Sequence, residues 1–141
     1  MTESGMASSL AGLVAAFEAG TLPKSEFTHS AHLSVACWYL SRLEEAAAID
    51  RLREGIRHYN ECVGTPNTDT GGYHETLTIF WARVVARFLA RTPAELSVDE
   101  KARVVVNEYS NRRDLWKDYY AFQVPKSVHA RRRWMEPDRA L

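Results

Sequence analysis

The spacing of apolar residues constrains the fold of this chain more than any other feature of its sequence. Apolar side chains recur at i, i+3, i+4 and i+7 along most of the chain, which is the period of an amphipathic helix. The first such stripe consists of Leu10, Leu13, Val14 and Phe17, and Gly20 behind it is a typical helix stop. We therefore predict an all-α fold.

Glycine, proline and capping residues divide this pattern into a single-domain bundle of about six helices over residues 1–141, mostly up-and-down. The predicted helices cover residues 9–19, 28–43, 45–62, 73–90 and 97–109, then a sixth that begins at Asn111 and a short one over 127–134. Whether the third helix restarts near Asp50 stays open. Ser97 and Glu100 fit a capping box at the start of the fifth.

Composition limits the functional classes. With 45% hydrophobic residues and a formal net charge of +0, the chain should be globular, with no nucleic acid and no membrane as its main partner. No apolar run has the length of a membrane span, and residues 1–20 lack the basic region of a signal peptide. Cys37 and Cys62 are expected as free thiols. These features predict a cytoplasmic protein and leave its oligomeric state open.

Two short motifs place histidines at the starts of two predicted helices. His29 and His32 lie three residues apart in the first turn of the second helix, and His74 and Glu75 begin the fourth. All three histidines fall on the apolar stripe of their helix, so we expect them to point inward. A turn-rich loop, residues 66–72, precedes the second motif, and a long loop inside a small domain is often functional.

The two motifs are expected to meet. Short connections favour antiparallel neighbouring helices, so the second and fourth helices should run parallel, with both motifs at one end of the bundle. The ends of the third and fifth helices and the start of the sixth, with Arg112 and Arg113, should lie there too. The pocket residues predicted from this arrangement are Tyr59, Asn60, Asn67, Tyr73, Tyr109 and Arg112.

Imidazole and carboxylate groups together are the usual ligands of a transition metal. Residues three apart on a helix share a face, so His29 and His32 can reach one ion, with His74 as the third ligand. Glu75 diverges from His74 by about 100° around a helix, so it is expected at the rim, as general base or fourth ligand. Zinc is the first expectation for the ion; iron, manganese or copper also fit these ligands.

We therefore predict a metal-dependent enzyme that acts on a small molecule. The two helix N-termini favour an anionic substrate group such as a carboxylate or phosphate. Hydrolase or lyase chemistry suits zinc, whereas iron or copper would allow oxidoreductase chemistry. Two alternatives stay open: a non-catalytic module that binds a metal or small ligand, and a helical interaction protein whose histidines only cap and fill the bundle.

The same motifs carry a resemblance. The patterns F-x-H-x-x-H-L at residues 27–33 and G-x-Y-H-E-T-x-T at residues 71–78, with a closing segment over residues 130–138, are similar to those of a family of small bacterial proteins of uncharacterised function. The closing segment departs by one residue from the spacing of that family. The resemblance spans most of the chain. It implies a shared site formed by the histidine and glutamate side chains named above, and it implies no particular reaction.

Overall fold

Six helices form the fold of residues 9–141, which are the residues that this computed structural model describes. They are α1 (Leu10–Ala19), α2 (His29–Arg42), α3 (Glu45–Cys62), α4 (Glu75–Ala90), α5 (Val98–Tyr109) and α6 (Val128–Arg132). Three short 3-10 segments join them: Lys24–Glu26, Leu115–Asp118 and Val124–Lys126. No strand occurs among the described residues, and the all-α prediction is confirmed.

Side-chain caps set most of the helix starts that the sequence predicts. Four hydroxyl groups each accept a hydrogen bond from a backbone N–H in the following first turn, those of Ser9, Thr28, Ser97 and Ser127. The capping box predicted at Ser97 is complete. The capped helices α1, α2 and α5 agree with the predicted helices within one residue at each end. α3 agrees as well, although it has no side-chain cap, and it runs through Asp50 without a restart.

Other predicted boundaries are wrong. α4 begins two residues later than predicted, because His74 has an extended backbone (φ −133°, ψ 109°) and caps the helix with its own side chain. The sixth predicted helix is only the 3-10 turn Leu115–Asp118. Beyond that turn, the C-terminal tail occupies the backbone groups that a helix would use: the Asp138 N–H donates to the carbonyl of Tyr119, and the Asp138 carboxylate accepts from the Ala121 N–H.

α2 lies at the centre of the bundle and packs against α1, α3, α4 and α5. Leu33 and Val35 on its buried side are each only 1% exposed. α6 and the tail that follows it pack across the start of α4. There the Thr76 hydroxyl donates to the carbonyl of Arg133 and accepts from the N–H of Met135. The starts of α2 and α4 are therefore both held in place by neighbouring elements.

Two observations bear on the predictions from composition. No helix within residues 9–141 has both the length and the apolar character that a bilayer crossing requires. Both cysteines are free, with Cys37 buried and Cys62 exposed. Residues 1–8, part of the segment in which no signal peptide is predicted, lie outside the described residues.

Candidate functional site

The starts of α2 and α4 border one cavity of about 580 Å³. Its lining is largely apolar and includes Phe27, Leu33, Leu52, Ile56, Trp81 and Trp116. All three histidines of the two motifs line it as well: His29, His32 and His74. A cavity of this size and character is typical of small-molecule sites.

His32 keeps one unbonded nitrogen at this cavity. Its Nδ1 lies 2.9 Å from the carbonyl oxygen of Thr28, which can only accept, so Nδ1 carries the proton and Nε2 keeps a free lone pair. The ring stacks on Phe27 with 3.8 Å between centroids. The ring forms part of the cavity wall, and its surface stays accessible there. Desolvation is the main cause that lowers the pKa of His32 to about 4, and the charges of His29 and Arg113 add to the shift. The ring is therefore neutral at pH 7.

His29 contributes a buried nitrogen without a partner. Its ring packs edge-on against Trp81, with 4.7 Å between centroids, and its Nε2 makes no hydrogen bond within residues 9–141. Desolvation lowers the pKa of this ring; the Tyr109 carbonyl opposes the shift and the charge of Arg113 adds to it. A buried polar atom without a partner costs ~1–3 kcal/mol, and it is commonly satisfied by a ligand or an ordered water. His29 is therefore a second group able to bind a ligand.

His74 is fully bonded to the protein. Its Nδ1 accepts from the backbone N–H of Leu77 at 3.2 Å, so Nε2 carries the proton and donates to the carbonyl of Val124 at 2.9 Å. The residue is only 8% exposed, and this burial, with the charge of Arg131, lowers the pKa of the ring. No lone pair remains for a ligand. His74 caps α4 and ties it to the C-terminal part of the chain.

Glu75 is bonded to Arg53 and Tyr73 and does not line the cavity. Arg53 donates two hydrogen bonds to its carboxylate, at 3.0 and 2.7 Å, and the Tyr73 hydroxyl donates a third. Burial alone would raise the pKa of Glu75, but these three bonds and the charge of Arg53 hold it below its ordinary value. The carboxylate links α4 to α3 as a structural ion pair.

The predicted three-histidine metal site is not assembled in the part of the chain that the structure describes. No group of three or more histidine, cysteine, aspartate or glutamate side chains is placed there to hold an ion. The reason is that His74 and Glu75 use their ligand atoms in bonds within the protein. His29 and His32 keep unbonded nitrogens. The predicted roles of His74 as a ligand and of Glu75 as a general base or fourth ligand stay predictions, which the bonding of these two side chains does not support.

The other predicted pocket residues divide into two groups. Three line the cavity: Tyr59, Asn60 and Tyr73. Asn67 does not, and it holds the loop together instead by accepting from the Tyr73 N–H and the Asn60 amide. Tyr109 packs behind Trp81, and Arg112 is paired with Glu108 outside the cavity.

Two cations line the cavity, Lys24 and Arg113, and neither is among the predicted pocket residues. The topology places the adjacent Arg112 and Arg113 at this end of the bundle, but no signal in the sequence distinguishes which of the two faces inward. Among the described residues that line the cavity, none is an aspartate or a glutamate.

Comparison with models of protein families, with curated protein sequences and with solved structures finds no match to this chain. The resemblance drawn from the histidine motifs therefore stays a prediction. Inferences about function rest on the chemistry of the cavity.

Proposed function

We propose that this protein is an enzyme that binds a small, largely apolar molecule in the cavity and uses His32 to accept a proton from it. The observation that carries the proposal is the unprotonated Nε2 of His32 at an apolar cavity wall. A general base must be unprotonated at working pH and must reach its substrate. The lowered pKa keeps the His32 ring unprotonated at pH 7, and its place on the cavity wall lets it reach a bound molecule.

The position of His32 is set by the surrounding chain, which supports a precise role for its ring. The bond from Nδ1 to the Thr28 carbonyl fixes the tautomer, and the stack on Phe27 fixes the plane of the ring. Preorganised groups of this kind are more effective in catalysis than mobile ones. His29, with its unpartnered Nε2, would make a hydrogen bond to the same bound molecule.

The experiment is binding of 2-naphthol, an apolar probe with one weakly acidic hydroxyl, measured by calorimetry at pH 7. We expect saturable one-to-one binding that His32→Gln weakens about tenfold, because a lost hydrogen bond to a ligand costs on the order of 1 kcal/mol or more. His129→Gln is the matched control, since His129 is exposed and does not line the cavity. Absence of binding, or equal loss in both variants, would contradict the proposal.

A second candidate is a metal-dependent function in which only His29 and His32 supply protein ligands. The unpartnered Nε2 of His29 favours it, and the bond from His32 Nδ1 to a backbone carbonyl is common in metal-bound histidines. Zinc, iron, manganese or copper would then need further ligands from substrate or solvent. Elemental analysis of wild type and His32→Ala decides: stoichiometric metal lost in the variant would favour this candidate over the first.

We also place this activity in the cytoplasm, as composition predicts. The two unpaired cysteines support that location, because reducing compartments keep thiols free.

A further inference from the structure

We infer that the molecule bound in the cavity has an apolar body and one carboxylate group, and that Arg113 holds this carboxylate. The inference rests on the proposed function of the cavity. It goes further by naming the chemical class of the ligand and the residue that selects it.

The first observation is the contrast between two adjacent arginines. The Arg112 guanidinium donates to the Glu108 carboxylate at 2.8 Å and lies near the Tyr109 ring, so its charge is neutralised locally. Arg113 lines the cavity and makes no hydrogen bond or ion pair anywhere in residues 9–141. A guanidinium presents planar paired donors that match a carboxylate. The donors of Arg113 are therefore available to a ligand.

The second observation is electrostatic. Arg113 lines the same cavity as His29 and His32, and its charge contributes to the lowered pKa of both rings. Both rings are then neutral at pH 7, and the charge of the lining comes from Arg113 and Lys24. No carboxylate among the described lining residues offsets these two cations, although the whole chain has a formal net charge of +0. The lining is therefore positive although the chain as a whole is neutral, which favours an anionic ligand.

The remaining lining defines the rest of the ligand. Apart from the charged and histidine side chains, the walls are mainly aliphatic and aromatic and include the large rings of Trp81 and Trp116. A mainly apolar wall with two cations fits an amphiphilic monoanion better than a polyanion, whose further charges would be buried without partners. A single carboxylate on an aromatic or aliphatic body meets this requirement.

The test compares two probes of the same shape, 2-naphthoate and the uncharged 2-naphthamide, by calorimetry at pH 7 and low salt. We expect wild type to bind naphthoate at least tenfold more tightly than naphthamide. Arg113→Gln should remove this preference while naphthamide affinity stays within about twofold. Arg112→Gln is the matched control and should keep the preference, because Arg112 already pairs with Glu108. Both arginines are exposed, so neither variant should disturb the fold.

Each outcome separates the two proposals. If wild type binds both probes equally, the anion inference is overturned and the cavity still binds small molecules. If neither probe binds, the proposed function falls together with the inference. If Arg112→Gln removes the preference and Arg113→Gln keeps it, the assignment to Arg113 is wrong. Tighter binding of 2-naphthyl phosphate than of naphthoate would replace the carboxylate with a phosphate.

Discussion

The two histidine motifs begin two neighbouring helices and border the same cavity, but their polar atoms have different partners. At the start of α2, Nε2 of His32 and Nε2 of His29 make no hydrogen bond to any residue from 9 to 141. At the start of α4, both nitrogens of His74 and the carboxylate of Glu75 are bonded to neighbouring elements. Residue type and place in a helix are therefore poor guides to function unless the bonding of each polar atom is known.

The difference arises from what packs against each helix start. The C-terminal part of the chain crosses α4 and supplies the Val124 carbonyl, and α3 supplies Arg53, so the second motif is saturated. The start of α2 faces the cavity, and among the described residues the His32 ring is hydrogen-bonded only to the Thr28 carbonyl one turn earlier. The polar atoms of the α4 motif are therefore used within the fold, whereas the α2 motif keeps ring nitrogens without a partner among these residues.

The largest expected effect is on stability, at His74. His74→Ala should lower the free energy of unfolding by ~2–4 kcal/mol, since it removes a helix cap, a hydrogen bond to the Val124 carbonyl and the packing of a buried ring. The Val124 carbonyl then keeps the Ser127 N–H as a donor. Urea denaturation measures this. His32→Gln is the counterpart and should cost less than about 1 kcal/mol, because the Thr28 carbonyl still accepts from the His32 backbone N–H. An equal loss of unfolding free energy in the two variants would contradict the distinction between the two motifs.

A smaller effect is expected at Glu75. Glu75→Gln should lower the free energy of unfolding by about 1–2 kcal/mol, because it removes a charge-assisted pair whose side chains are only 13% and 29% exposed. Probe affinity in the cavity should stay unchanged. Glu108→Gln removes the exposed pair with Arg112 and should cost less than about 1 kcal/mol. Loss of probe binding in Glu75→Gln with stability intact would instead give Glu75 a role in the site.

The last expected effect is on the pH dependence of stability. The pKa of His32 is about 4 in the folded protein and about 6.5 when unfolded, so the unfolded chain binds more protons between these values. Stability should therefore be complete above pH 6.5 and should decrease as pH falls toward 4. His29 and His74 shift in the same direction. In His32→Gln the decrease should be shallower than in wild type, measured by urea midpoints from pH 7 to 4. An unchanged slope would show that His32 is not held neutral by the fold.

Local signals in the sequence were enough to predict most of the fold. Hydroxyl residues that begin helices, and the apolar stripes behind them, predict α1, α2 and α5 within one residue at each end, and the apolar stripe alone predicts α3. The sixth predicted helix does not form because Asp138 is hydrogen-bonded to the backbone groups of Tyr119 and Ala121. This contact joins residues that are far apart in sequence. Neither propensity nor periodicity reports such contacts.

The candidate site was predictable only in part for the same reason. Helix direction was enough to place both histidine motifs at one cavity. Whether a nitrogen or carboxylate is free depends on Val124 and Arg53, which no spacing rule connects to His74 and Glu75. Which of Arg112 and Arg113 lines the cavity depends on how the short turn after α5 folds.

The most direct test of the account is an NMR titration of histidine-labelled protein with 2-naphthoate at pH 7, followed at the ring nitrogens. We predict that free His32 has its proton on Nδ1 and His74 has its proton on Nε2. The ring signals of His29 and His32 should shift on saturation, and those of His74 should stay within a small fraction of that shift. Shifts as large at His74 as at His32, or no shift at any of the three at saturating probe, would contradict the account.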